Sequence, residues 1–175
     1  MKKYKELKWL IIGALFLSVC GLVVAYISMS TALDIKEVNQ FWKVEILNVK
    51  AEVKGKVMAS GVEVVSTSLN DFDINFEGQG TAIYKFEVKN SGDVDAVLRN
   101  INYGNPKCTP FNNDVESCHN VSYKLTYSDG REVLTGDVIN SGTRMDMQLV
   151  IEFGGSNDSG IMLNELDFIL LYEQA

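Results

Sequence analysis

Cys108 and Cys118 are the residues most able to do chemistry as a pair. They stand in NPKCTPFNNDVESCHN with nine residues between them, and Pro106 and Pro110, the chain's only two prolines, bracket Cys108. That punctuation places the pair in a loop between strands. On the oxidising side of a membrane two cysteines so placed close a disulfide, worth on the order of 2–3 kcal/mol in the chain-entropy model. Two free thiols, or a catalytic or metal-bound pair, are the other chemistries open to them. Zinc wants four donors, and with His119 as the one histidine the fourth would have to come from Asp114 or Glu116.

The second spacing concerns oxygen. Asp71, Asp73, Asn75 and Glu77 repeat at every other position, like the opening of a calcium loop. That motif wants Gly at its sixth position and Glu at its twelfth, where this chain has Phe76 and Ala82. The same spacing describes the outer face of a strand whose inner face is Phe72, Ile74 and Phe76. Both readings stay open: a solvated strand face, or a calcium site completed by a neighbouring loop. The Gly/Asn/Asp stretch at 154–160 is the other oxygen-rich segment and reads as a turn. His119 has Ser117 and Ser122 nearby but no strand–nucleophile–helix elbow, so it reads as a surface residue. The sequence holds no Walker loop, dinucleotide fingerprint or HExxH, and it calls for no cofactor. Asn120-Val121-Ser122 and Asn157-Asp158-Ser159 match the glycosylation sequon. Trp42, in FWKVEIL, reads as a core anchor.

These residues need elements to hold them, and the pattern supplies strands. Phe72, Ile74 and Phe76 alternate with polar residues, as do Tyr84, Phe86 and Val88. Val121, Tyr123, Leu125 and Tyr127 do the same, followed by Met145, Met147, Leu149, Ile151 and Phe153, and last by Leu166, Phe168, Leu170 and Tyr172. Period-2 alternation puts each class of side chain on its own face, as in strands buried on one side. Turn residues separate the runs at Glu77–Gly80, Asn90–Asp93, Ser128–Gly130, Asn140–Gly142 and 154–160. Weaker strand candidates lie at 32–36, 42–49, 50–57, 61–67, 94–103 and 131–139, giving about nine or ten in all. The expectation is an all-β domain over 31–175, a single Greek-key or jelly-roll-like β-sandwich.

The first 30 residues follow other rules. Lys2, Lys3, Lys5 and Lys8 stand against Glu6, and from Trp9 to Met29 there is no charge over 21 residues. A helix of that length spans about 31 Å at ~1.5 Å per residue, enough to cross a hydrocarbon core. The lysines hold the N-terminus cytoplasmic and send the remainder outside. Trp9 and Tyr26 sit near the two ends, where amphipathic rings favour the headgroups. The segment reads as an uncleaved anchor. Cleavage as a signal near Val24-Ala25-Tyr26 or Ser28–Ala32, or lipidation at Cys20, are the alternatives. The lipid bilayer is therefore the expected partner of residues 9–29, and the domain after it stands close to the membrane, or is secreted if the segment is cut. Lys and Arg total 16 against 23 for Asp and Glu, a net of −7, and residues 31–175 carry −10. That balance disfavours a general nucleic-acid partner.

The order of features resembles the TasA/camelysin-type exported surface proteins of Gram-positive bacteria. The likeness rests on the lysine-rich start, the apolar segment ending Ala25-Tyr26-Ile27-Ser28, and the stretch from Gly80 to Leu98 (GTAIYKFEVKNSGDVDAVL), with Asn102-Tyr103-Gly104 following. That stretch is similar to a hairpin of theirs, a strand ending in Asn-x-Gly followed by a second strand. The resemblance implies a jelly-roll-like sandwich that assembles into matrix fibres or a surface coat by strand exchange. It does not account for the Cys108/Cys118 pair or the C-terminal half. The expected function is a non-enzymatic, structural or adhesive surface protein that associates with itself or with other surface proteins, with contacts through an edge strand or through the 104–120 and 154–160 loops. The alternative is a small-ligand or calcium-binding module of an envelope complex.

Overall fold

Phe72, Ile74 and Phe76, and farther on Ala82, Tyr84, Phe86 and Val88, are all buried, and they lie on one unbroken strand. The structure is a computed structural model and describes residues 41–155 and 159–175. Its strands are β1 (Val44–Ala59), β2 (Glu63–Val65), β3 (Ser68–Asn90), β4 (Ala96–Asn102), β5 (Lys107–Pro110), β6 (Val121–Tyr127), β7 (Val138–Ile139), β8 (Arg144–Phe153) and β9 (Ile161–Gln174). A 3₁₀ helix, Val115–Asn120, is the one helical element among the described residues. The all-β expectation holds for them. The membrane or signal helix expected over residues 1–30, with Trp9, Cys20, Tyr26 and Met29, lies outside the described residues. So does the strand candidate at 32–36. Among the described residues no helix is long and apolar enough to cross a membrane.

All nine strands belong to one antiparallel sheet, and β3 makes it fold over. Its first part, from Ser68 to Phe76, pairs with β9, and its second, from Gly80 to Lys89, pairs with β8. β1 follows β3 through both parts. One half of the sheet thus runs β1–β3–β8–β6. The other runs from the first part of β3 to β9, with β4 and β5 in succession along the far side of β9 and β7 beyond β4. Aromatic side chains join the halves across the core. The rings of Phe72 and Tyr84 meet edge-on at 4.7 Å, Phe76 lies 5.6 Å from Phe153, and Phe86 lies 6.0 Å from Phe168. Each large side chain so buried contributes roughly 1.5–3 kcal/mol relative to exposure.

Glu77–Gly80 is not the turn its composition suggests. It is strand, and the reason lies 25 residues upstream: Gly80 is paired with Gly55, at the point where the β1–β3 register shifts. Gly55 has φ +83°, and a Cβ there would stand 2.6 Å from the Gln79 carbonyl oxygen; a Cβ on Gly80 would collide with Val57 and stand 2.7 Å from the Lys54 carbonyl oxygen. The glycines allow two backbones to approach closely while the ribbon bends from one half of the sheet to the other. The candidates 42–49 and 50–57 are likewise one strand, β1.

The strand expected over 131–139 shrinks to β7. The rest of that segment bridges the halves: Tyr127 N–H donates to the Arg131 carbonyl (2.8 Å), while Leu98 N–H donates to the Asp137 carbonyl and Gly136 N–H to the Leu98 carbonyl (2.9 and 2.7 Å). It therefore links β6 to β4 on the side of the core away from the β1–β3 ribbon.

Candidate functional site

At one end of the strands Asp93 N–H donates to the Phe41 carbonyl and Ser91 N–H to the Lys43 carbonyl, each at 2.8 Å. Ala175 N–H donates to the Asp95 carbonyl (2.9 Å) and so closes at that same end. Asn90, the last residue of β3, is fully buried there. Its amide nitrogen donates to the carbonyls of Val94 (2.8 Å) and Ile139 (3.0 Å), and its Oδ1 accepts from Gly92 N–H (3.0 Å). The Asn-x-Gly turn signal marked this position without revealing that it ties two chain segments together. Trp42 packs partly buried against the core.

The cysteines sit at the other end. Cys108 and Cys118 form a disulfide, with Cα atoms 6.0 Å apart, joining β5 to the 3₁₀ helix. The helix is capped by Asp114, which accepts from Glu116 N–H (3.2 Å) and from the Ser117 hydroxyl (3.0 Å). Gly154 N–H donates to the Asn120 carbonyl (3.0 Å) and Phe111 N–H to that of Gly160 (2.9 Å), so the stapled loop is bonded to both flanks of the 154–160 loop. Residues 156–158 of that loop lie outside the described set. Phe111 and Val115 stand 50% and 67% exposed on this rigid loop. His119 is exposed, its Nδ1 3.1 Å from Glu116 Oε2.

Asp71, Asp73, Asn75 and Glu77 occupy β3 between the buried residues Phe72, Ile74 and Phe76. Asp71 departs from the regular pleat, with φ +59°, beside a register shift against β9. Residues two apart on a strand are separated by about 7 Å, so this row is spread along the sheet. The Asn164 amide, turned with its nitrogen toward β3, donates to Asp73 Oδ1 (3.1 Å). Asn75 Oδ1 is buried without a partner among the described residues. Among the described residues no three His, Cys, Asp or Glu side chains group as metal ligands do.

The feature that strand counting missed is an open edge. Among the described residues β1 pairs with β3 alone. Ile46 N–H donates to the Ser66 carbonyl (2.7 Å), but from Lys50 to Lys56 no second strand lies alongside among the described residues. All seven of those residues are exposed. Directly paired residues share a face of the sheet. Ala51 is opposite Tyr84 and Val53 opposite Ala82, so both look toward the core side, yet Val53 is 46% exposed. On β2, Val64 is opposite the fully buried Leu69 and is itself 40% exposed. Two edges thus present core-facing aliphatic side chains that nothing covers among the described residues. The alternation shows which side chains share a face; it does not show which strand lacks a neighbour.

A shallow depression of about 730 Å³ lies beside this edge, lined by Asn48, Lys50, Lys85, Glu87, Asp146 and Gln148 among others. Its charges are largely matched: Lys85 Nζ is 2.7 Å from Glu52, Arg144 is 3.3 Å from Glu87, and the Asn48 amide donates to Glu87 (3.0 Å). No family model matches the chain, and neither a curated protein nor a solved structure matches it.

Proposed function

We propose that the chain is a non-enzymatic cell-surface protein, a jelly-roll-like β-sandwich held outside a membrane by residues 9–29 or released by their cleavage. Its role is structural or adhesive, and it joins a surface coat or fibre by strand addition. The observation that carries this reading is the unfinished side of the sheet, where Ala51, Val53 and Val64 expose apolar groups on the face that is otherwise buried. An edge strand with free backbone groups is a template for another strand, and main-chain hydrogen bonds supply the affinity in such contacts. The disulfide-stapled loop supplies a second, preorganised contact at the end away from Phe41, with little ordering left to cost on binding.

Electron microscopy and sedimentation of the full chain in non-ionic detergent test the reading. Concentration-dependent oligomers or filaments are expected. Replacing Ala51 and Val53 together by Asp, which puts charge where an added strand would cover it, is expected to abolish them while leaving the circular dichroism spectrum unchanged. A chain that stays monomeric at high concentration, alone and with surface extract, overturns it.

A further inference from the structure

We infer that the open side of β1 accepts an extended segment of a partner polypeptide whose side chains alternate apolar and acidic. This rests on the reading of β1 as a contact edge and names the chemistry of its occupant.

The stretch available is regular. Register shifts fall between Leu47 and Lys50 and between Gly55 and Val57. Between them Lys50–Gly55 runs in unbroken pairing with Lys85–Gly80, a length of about 20 Å at ~3.4 Å per residue. One face of this stretch is the aliphatic shelf of Ala51 and Val53. The other carries Lys50, Glu52 and Lys54, with Lys56 beyond the bend. Glu52 is already taken by Lys85, at 2.7 Å. Lys50, Lys54 and Lys56 are in no ion pair among the described residues. They form a cationic ridge on a body in which residues 31–175 carry −10.

A strand laid antiparallel or parallel along this edge sends alternate side chains to the two faces. Apolar ones cover the shelf, and those between them meet the ridge. Opposite charges facing each other across a strand pair are favourable and like charges are not. Lysine on an edge is also a guard against pairing. Here the lysines stand on the face away from the shelf, so they flank the site and leave its aliphatic side clear. They turn away a strand that carries lysine. A second β1 in the register that sets Lys50 against Lys54 is turned away for the same reason. A strand with Asp or Glu at alternate positions meets no such penalty, and the ridge draws it in from a distance.

The test uses the full chain in non-ionic detergent and three labelled nine-residue peptides, alternating Val with Glu, Val with Gln, or Val with Lys. Fluorescence anisotropy is expected to show the Glu peptide binding about tenfold more tightly than the Gln peptide, from two or three exposed cross-strand pairs, with the advantage shrinking as salt rises. Amide exchange is expected to slow at residues 51–55. Lys50→Glu with Lys54→Glu is expected to shift the preference to the Lys peptide. Equal binding of the Glu and Gln peptides at every salt concentration overturns the charge selection and leaves the contact edge standing; that comparison needs no variant to fold. Protection elsewhere than β1, or an edge that a second copy of the chain keeps even at saturating Glu peptide, overturns the assignment of the occupant. No peptide binding by a chain that also stays monomeric removes both readings.

Discussion

Asn90 shows how much of this fold depends on one polar side chain. It is wholly buried and satisfied three times, twice as donor to carbonyls from different parts of the chain and once as acceptor. Asn90→Ala leaves two buried carbonyls and an N–H without these partners and is expected to cost about 3 kcal/mol, read from urea denaturation at unchanged slope. Asn90→Asp is a sharper probe, because a carboxylate places negative charge against the Val94 and Ile139 carbonyls. Its folded-state pKa is expected to rise above the ordinary ~3.9. The variant should be most stable below about pH 4 and lose stability as pH climbs, where the wild type does not. Tyr172 poses the opposite case, a buried hydroxyl with no partner among the described residues. Tyr172→Phe is expected to raise stability by about 1 kcal/mol in thermal melts. Burial pushes the phenols of Tyr84, Tyr127 and Tyr172 well above the ordinary tyrosine range. The folded state then holds protons that the unfolded state releases, so stability is complete below about pH 10 and is lost as pH rises beyond it. A flat stability profile into strong alkali would contradict that. Neither role was legible in the sequence: Asn90 reads as turn punctuation and Tyr172 as one more residue in an alternating run, because a polar atom's partners are set by distant segments.

Elements were legible where one strand sufficed to define them. Alternation alone assigned Phe72, Ile74, Phe76, Tyr84, Phe86 and Val88 to an inner face, and all six are buried. The proline-bracketed cysteines were equally readable, and they do form the disulfide. What alternation could not give is the change of partner along β3, since Gly78 and Gly80 have the composition of a turn and only the approach of Gly55 makes them a bend in a continuous ribbon. That is a long-range fact. It predicts that Gly80→Ala, whose methyl would meet Val57 and the Lys54 carbonyl, costs roughly 2–4 kcal/mol because close-packed backbone has no room to yield. Gly61→Ala is the control, because a Cβ there meets nothing within 4 Å. It is expected to change stability by less than about 0.5 kcal/mol. Equal effects from the two substitutions would mean that the β1–β3 crossing is looser than the structure has it.

At the scale of the whole molecule two forces act on any assembly and respond oppositely to salt. Net charge was readable from composition, but the open position of these cations was not: Lys50, Lys54 and Lys56 lie within seven residues at positions that share a strand face, yet only the strand pairing shows that β1 is an edge among the described residues. Bodies carrying −10 over residues 31–175 repel one another, and raising ionic strength from about 0.01 to 0.15 M shortens the screening length from ~30 to ~8 Å. Contact between copies is governed by that repulsion together with the aliphatic shelf. Self-association of the full chain is therefore expected to strengthen across this range, by sedimentation velocity at constant protein concentration. Docking of an acidic strand on the lysine ridge weakens over the same range, because the attraction it uses is the one being screened. Measuring both on one preparation separates the shelf from the ridge. The shelf dominates if oligomers grow with salt while peptide binding fades. Oligomers that dissolve as salt is raised would instead mean that copies meet ridge to acidic surface, and the apolar groups of Ala51, Val53 and Val64 would no longer account for assembly.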